Sequence, residues 1–221
     1  MPDDLASRRI LITSGPTRAN LDAVRFISNR STGRLGCALA RECLDRGAEV
    51  TMVAGPESHV PDEQPGLEIA PIETVQDLVD ALEERLPEGG YDVIIHAMAV
   101  LDYVPASPEE GKVRSGREEW TLRMTKTPKV IRKIKGWAPD ALLVGFKLEV
   151  GTDEEGLRRA AVDGMDASGA ELTVANDLED IGENTHPAII VERGGGILAR
   201  PTTKAGIAEA LCGILYEKLR R

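Results

Sequence analysis

Cysteine is scarce in this chain, and its placement excludes a disulfide framework. Three thiols in 221 residues, at positions 37, 43 and 212, give neither an even count nor a C-x-x-C pair. Cys37 and Cys43 fall inside a helical apolar pattern and are expected as buried, reduced side chains. Positive charge is also short: 27 Lys and Arg face 37 Asp and Glu, a net charge of -10 with no acidic tail. Non-specific nucleic-acid binding runs on clustered Lys and Arg, so nucleic acid is not an expected partner. No apolar run approaches the ~20 residues of a membrane span. The Met-Pro-Asp-Asp start lacks the basic opening and apolar middle of a signal peptide. A cytoplasmic protein that stays off membranes is the expectation. Of the three histidines, His96 has no second His or Cys at ligand spacing, which argues against a metal site there.

What is present is an ordinary globular composition, 42% hydrophobic and 29% charged. Residues 9–14, 49–54, 67–72, 91–100, 142–148 and 171–175 read as strands, with 91–100 apolar enough for a sheet centre buried on both faces. Residues 32–46, ending at Gly47, carry helical spacing through Leu35, Leu39, Cys43 and Leu44. Further helices are expected from Thr74, from Pro128 to Lys135, from Asp153 to about Ala167, and from Thr203 to the end of the chain. Residues 188–192 and 196–199 suggest a hairpin about Gly194-Gly195-Gly196, and 119–125 alternate as one more strand. Residues 101–118, punctuated by Pro105, Pro108, Gly111 and Gly116, are too long for an ordinary connection and read as a functional or mobile flap. The alternation predicts one α/β domain over residues 1–221. It is Rossmann-like and three-layered, with a mainly parallel central sheet and helices on both faces.

The most telling segment is Arg25-Phe26-Ile27-Ser28-Asn29-Arg30-Ser31-Thr32-Gly33-Arg34-Leu35-Gly36. It follows the first strand and the loop Gly15-Pro16-Thr17-Arg18, and it opens a helix near Thr32 or Gly33. Strand, polar loop and helix start aim backbone N–H groups at one point, which attracts an anion, usually phosphate. The plainer alternative is capping by Thr32, with Gly33 and Gly36 allowing close helix–strand packing. An NAD(P) site is disfavoured. Its fingerprint needs G-x-G-x-x-G within the turn, whereas eighteen positions separate Gly15 from Gly33, and Ala54-Gly55-Pro56 stands where a ribose-binding acid is expected.

The run G-P-T-R, L-D, V-R-F-I-S-N, S-T-G-R-L-G resembles the start of the phosphopantothenate–cysteine ligases (phosphopantothenoylcysteine synthetases) of the stand-alone bacterial type. The resemblance continues through Gly47-Ala48-Glu49-Val50-Thr51, Gly55-Pro56, His96 to Tyr103, and Lys112-Val113-Arg114-Ser115. It then takes in Lys126-Thr127-Pro128, Gly145 to Glu149 and Val174 to Asp177, covering about residues 9–192 in order. It implies a ligase of coenzyme A biosynthesis that joins 4′-phosphopantothenate to L-cysteine through an acyl-nucleotide, made from CTP with Mg²⁺, and it implies a homodimer. A carboxylate is a poor electrophile, so activation on an α-phosphate must precede attack by the amine. Such a site needs cations near that phosphate and donors on the acyl oxygen.

Carried onto this chain, the resemblance makes Asn29 and Lys112 catalytic. Asn29 would donate to the acyl-nucleotide while accepting from a neighbour, and Lys112, in the flap, would neutralise phosphate. Ser31, Thr32, Gly33, His96, Ala97, Met98, Asp102, Lys112, Pro128, Lys129, Val130, Ile131, Phe146 and Lys147 match the nucleotide pocket. Gly15, Thr17, Arg18 and Asn29 match the substrate side, and the metal ligands stay unassigned. Asn176-Asp177 is either a turn-former or a site-lining pair. Fused relatives carry Lys-x-Lys-Lys where this chain has Lys112-Val113-Arg114-Ser115, and lysines where it has Asp163 to Gly169. Arg158, Arg159 and Lys147 are the replacements available nearby, and CTP against ATP stays open. The first loop, Arg18 to Val24, also departs from the family pattern. A non-catalytic nucleotide-binding relative and, further off, an NAD(P)-linked reductase are the competing readings.

Overall fold

A computed structural model describes residues 4–116 and 118–220. The chain runs β1 (Arg9–Ser14), β2 (Arg18–Asn20), β3 (Phe26–Ser28), α1 (Arg34–Asp45), β4 (Glu49–Ala54), β5 (Leu67–Pro71), α2 (Val75–Gly89) and β6 (Val93–His96). It continues through β7 (Tyr103–Pro105), β8 (Met124–Lys126), α3 (Ile131–Trp137), β9 (Leu142–Glu149), α4 (Glu154–Ser168), β10 (Leu172–Asp177), β11 (Ile189–Glu192), β12 (Ile197–Ala199) and α5 (Lys204–Leu219). Eight strands form one sheet in the order β12-β11-β10-β9-β6-β1-β4-β5. Neighbours from β10 to β5 are parallel, while β11 and β12 add antiparallel at one edge. Among the six parallel strands this is the doubly-wound order 3-2-1-4-5-6.

Side chains alternate along a strand, so β1 sends Ile10 and Ile12 to one face and Leu11 to the other. The first face packs against α1 and α5 through Leu39, Cys43, Ile207, Leu211 and Leu215. The second packs against α2, α3 and α4 through Leu78, Leu82, Ile134, Ala161 and Met165. Both faces of the parallel sheet are thereby covered, which is why its strands read as continuous apolar runs. Three helices start where their capping residues predict. Thr74 forms a capping box with Asp77, Asp153 accepts from Gly156 N, and Thr203 accepts from Gly206 N. Cys37, Cys43 and Cys212 are buried free thiols, with Cys43 and Cys212 meeting at 3.5 Å between α1 and α5.

Several boundaries differ from expectation. β6 stops at His96 rather than near Val100, because the chain then turns to pair Ala99 with Pro16. Residues 119–123 do not form a strand: Trp120 is partly covered by the Arg25 guanidinium, 5.3 Å from its ring centroid, but Leu122 and Met124, the apolar residues that alternate with it, are exposed. Only β8 pairs, antiparallel with β7, so the flap closes at its base as a two-stranded ribbon. Of the expected flap, Arg117 lies outside the described residues. α3 begins at Ile131, not Pro128, after turn bonds from Arg132 N to Lys129 O and from Lys133 N to Val130 O. The β2–β3 hairpin is too short to show a period. No helix among the described residues is long and apolar enough to cross a membrane.

Candidate active site

In this strand order β1 and β6 are neighbours whose connections leave in opposite directions, so the crevice in which such sheets bind ligands falls beyond their carboxyl ends. Backbone floors it. Ala99 N donates to Gly15 O at 2.8 Å and Thr17 N to Ala99 O at 3.2 Å. The tight path needs Gly15 in the left-handed region, at φ 80°. Asn29 Nδ2 donates to the same Ala99 carbonyl at 2.9 Å. Only the amide nitrogen can serve that acceptor, so the carboxamide's orientation is set. Here the expectation is corrected: Asn29 gives a bond to its neighbour instead of taking one. Its second N–H and its Oδ1 are left for a ligand, and the side chain is exposed.

α1 starts at Arg34 behind Gly33, which is left-handed at φ 72° and provides no side-chain cap. Thr32 therefore does not cap the helix; its carbonyl accepts from His59 N at 3.0 Å. The first-turn N–H groups carry the positive end of the helix. Ser31 Oγ accepts from Gly33 N at 3.4 Å. Gly36 permits the close helix–strand approach that its position suggests, since a Cβ there would lie 2.0 Å from Ser14 Oγ.

Sequence reasoning missed the segment after β4. Glu57 adopts φ 54°, uncommon for a residue with a side chain, and its carboxylate pairs with Arg18 at 2.7 Å. The Arg18 guanidinium lies over the Phe26 ring, 4.1 Å from its centroid. Ser58 reaches between Gly15 and Gly33, and His59 Nε2 accepts from Arg34 Nε at 3.1 Å. The available signal was Gly55-Pro56, a turn at the carboxyl end of a central strand, where such sheets bind ligands.

On the β6 side, His96 Nδ1 lies 2.8 Å from Thr13 Oγ1. Burial pushes its pKa down to about 4, so the imidazole is neutral at pH 7. Ala97 N donates to Thr13 O at 3.1 Å. The Met98 side chain is core, leaving backbone as what residues 96–98 offer a ligand. Thr17, fully buried, accepts from Leu101 N at 3.0 Å and so organises the crevice from within. Asp102 pairs with Lys129. The Leu101 and Asp102 carbonyls accept from Thr127 Oγ1 at 2.6 Å and Thr127 N at 2.9 Å, which brings residues 127–131 to the same end of the sheet. Val130 is buried there and Ile131 packs on Gly145. Phe146 follows Gly145, the partner of His96, and is half-buried. Asp177 accepts from Thr152 N at 2.7 Å and Glu179 N at 2.8 Å, bonds that lower its pKa, so it is a turn-former.

The flap is docked on the hairpin. Asp22, buried in the β2–β3 turn, accepts from Val24 N (2.8 Å), Arg25 N (2.7 Å) and the flap's Val113 N (3.1 Å). Burial raises the Asp22 pKa, but these donors and the Arg25 charge outweigh it and the net direction is down. Glu109 N donates to Leu21 O at 3.0 Å. Lys112 is therefore at the outer end of the hairpin and Asn29 at its base, four residues past Arg25, or about 13 Å at the usual strand rise. Among the described residues no hydrogen bond or ion pair joins the two. Of the substitute cations, Arg158 is held by Glu155 and Lys147 by Glu149. Among the described residues no group of three or more His, Cys, Asp or Glu is arranged to hold a metal ion.

The family model of the DNA/pantothenate metabolism flavoprotein C-terminal domain matches residues 5–218. The coenzyme A biosynthesis bifunctional protein CoaBC of Thermococcus kodakarensis is 36% identical over 210 residues, 95% of this chain and 51% of that protein. CoaBC of Mycobacterium tuberculosis is 34% identical over 183 residues, 80% of this chain and 43% of that one. The chain spans about half the length of these curated relatives. The solved DNA/pantothenate metabolism flavoprotein of Streptococcus pneumoniae superimposes with a TM-score of 0.88 at 34% identity, covering 96% of this chain and 100% of that chain. A Cab2 mutant in complex with phosphopantothenate-cysteine shares the fold, with a TM-score of 0.71 at 22% identity over 96% of this chain and 89% of that one. Matched along nearly its whole length in both sequence and fold, the chain belongs to the family of the DNA/pantothenate metabolism flavoprotein C-terminal domain.

Proposed function

We propose that the chain is a phosphopantothenate–cysteine ligase of coenzyme A biosynthesis. The observation that carries this reading is the Asn29 carboxamide, oriented by the Ala99 carbonyl at the β1/β6 crevice beside the uncapped start of α1. In the proposed reaction the phosphopantothenate carboxylate attacks the α-phosphate of CTP, releasing pyrophosphate and leaving an acyl-CMP. The cysteine amine then attacks the acyl carbon and releases CMP. The α1 first-turn N–H groups suit the phosphates, and the free amide N–H of Asn29 suits the acyl oxygen. The peptide groups of 96–98 and the Phe146 ring suit the base. Ordering of the flap over bound nucleotide would carry Lys112 inward from the end of the hairpin.

Magnesium needs no all-protein cage for this role, since it keeps waters and binds through substrate phosphates and one or two carboxylates. Asp102, exposed at the crevice, is the carboxylate that would share it. The ion's part is to neutralise triphosphate charge. A homodimer is proposed as well: Val24, Phe26, Tyr103, Leu122 and Met124 expose apolar surface on the hairpin, the ribbon and the flap.

Pyrophosphate release, followed with CTP and in parallel with ATP, tests the reading. Release that requires phosphopantothenate and is faster with CTP is expected, with product formation on adding cysteine. Release with neither nucleotide would favour a non-catalytic relative, a reading the tied Arg158 and Lys147 support. The strand order is the one observation in favour of an NAD(P)-linked reductase; thermal stabilisation by NADPH and not by CTP would favour it.

A further inference from the structure

Ser58 has a buried hydroxyl that the fold does not pair. Its Oγ has no hydrogen-bond partner among the described residues. An unpaired buried hydroxyl is costly, and the segment also tolerates the left-handed backbone of Glu57 to place it. A Cβ on Gly15 would lie 1.7 Å from Ser58 Oγ, and one on Gly33 would lie 2.8 Å from Ser58 Cβ. The serine thus fills the space that side chains at both glycines would take, between the crevice floor and the first turn of α1. It is held there from both sides. Glu57 is tied to Arg18 at 2.7 Å, and His59 N donates to Thr32 O at 3.0 Å. Arg18 Nε, in the guanidinium that anchors Glu57, is likewise buried without a partner.

Unmet donors of two kinds therefore lie close to Gly33: the N–H groups of an uncapped helix and the Ser58 hydroxyl. We infer that Ser58 is a ligand-binding residue whose hydroxyl donates to a phosphate oxygen seated at the start of α1. The inference rests on the proposed ligase reading for its choice of ligands. Two sources carry that chemistry: the triphosphate of the nucleotide and the phosphate of 4′-phosphopantothenate.

Ser58→Ala and the near-isosteric Ser58→Cys separate these sources and a structural role. One hydrogen bond to a charged group corresponds to roughly 10-fold or more in affinity. KM for one phosphate-bearing substrate should rise at least about 10-fold in both variants, with KM for cysteine unchanged. A rise for CTP assigns the triphosphate, and a rise for phosphopantothenate assigns the other phosphate. The ligand-free melting temperature should stay level or rise in Ser58→Ala, because the variant loses an unpaired buried hydroxyl; a fall of several degrees would mark a structural role and overturn the inference. Unchanged KM values in an active protein would overturn it too, leaving the ligase reading intact. Should the wild type be inactive, the stabilisation produced by CTP and by phosphopantothenate decides. Loss of either shift in Ser58→Ala supports the inference, whereas equal shifts, or none in the wild type, refute it.

Discussion

Acid should remove stability from this fold through His96, by an amount its burial sets. The imidazole is enclosed beside Thr13, and burial lowers its pKa from 6.5 to about 4. The folded chain keeps the ring neutral, whereas the unfolded chain takes up a proton below about pH 6.5. For a base with a depressed folded pKa, the unfolded state binds more protons between the two values. The contribution is therefore complete above about pH 6.5 and drains away as the pH falls toward 4. The whole difference corresponds to about 3 kcal/mol, of which about 2 kcal/mol is gone at pH 5.0. His186 adds to the same window: burial, then the Lys204 charge, lowers it to about 4 as well. Asp22, Asp77 and Asp177 have pKa values below 3.8, so their losses come mostly below pH 4. Urea unfolding at pH 7.5 and 5.0 measures the effect. His96→Gln will be less stable at both, and the diagnostic is the loss between the two pH values, which should be smaller by about 2 kcal/mol than in the wild type. An identical loss in variant and wild type would refute the assignment to His96.

Three further outcomes test the site's construction. Lys112→Gln should lower phosphopantothenate-dependent pyrophosphate release by about 100-fold at an unchanged melting temperature, because Lys112 is exposed; near-normal turnover removes it from the mechanism. Asp22→Ala removes the acceptor for Val113 N, so hydrogen exchange of the Val113 amide should quicken while amides of β1 stay protected, and unaltered exchange would show that the flap is held otherwise. Gly55→Ala would put a Cβ 1.9 Å from the Pro16 carbonyl oxygen. Backbone cannot yield there, and a loss of about 2–3 kcal/mol is expected in urea unfolding; an unshifted midpoint contradicts the packing described.

The alternation of β1, α1, β4, β5 and α2 was legible because each signal is local. Apolar period, Gly47 after α1, and the caps Thr74, Asp153 and Thr203 all act within a turn or two of themselves. Gly36 was legible in the same way, as a small residue where a helix must approach a strand. The resemblance carried by G-P-T-R and S-N-R-S-T-G pointed to the correct family before any fold was visible, and the family match covers residues 5–218.

The crevice itself is a product of the tertiary structure. His96 meets Thr13, Ala99 meets Gly15 and Asn29, and Ser58 meets Gly15 and Gly33, all across long stretches of chain. Sheet order brings these pairs together, and no sequence period encodes it. Local reasoning therefore left capping by Thr32 open as the plainer alternative, whereas the neighbouring Gly33 takes the left-handed turn and the Thr32 carbonyl accepts from His59 N. The resemblance implied an Asn29 that accepts from a neighbour, because only the placed Ala99 carbonyl shows which end of the amide faces inward. The sequence by itself determined the main strands and helices of the sheet, three helix caps and the family; how strand ends and loops meet decided which side chains are free at the crevice.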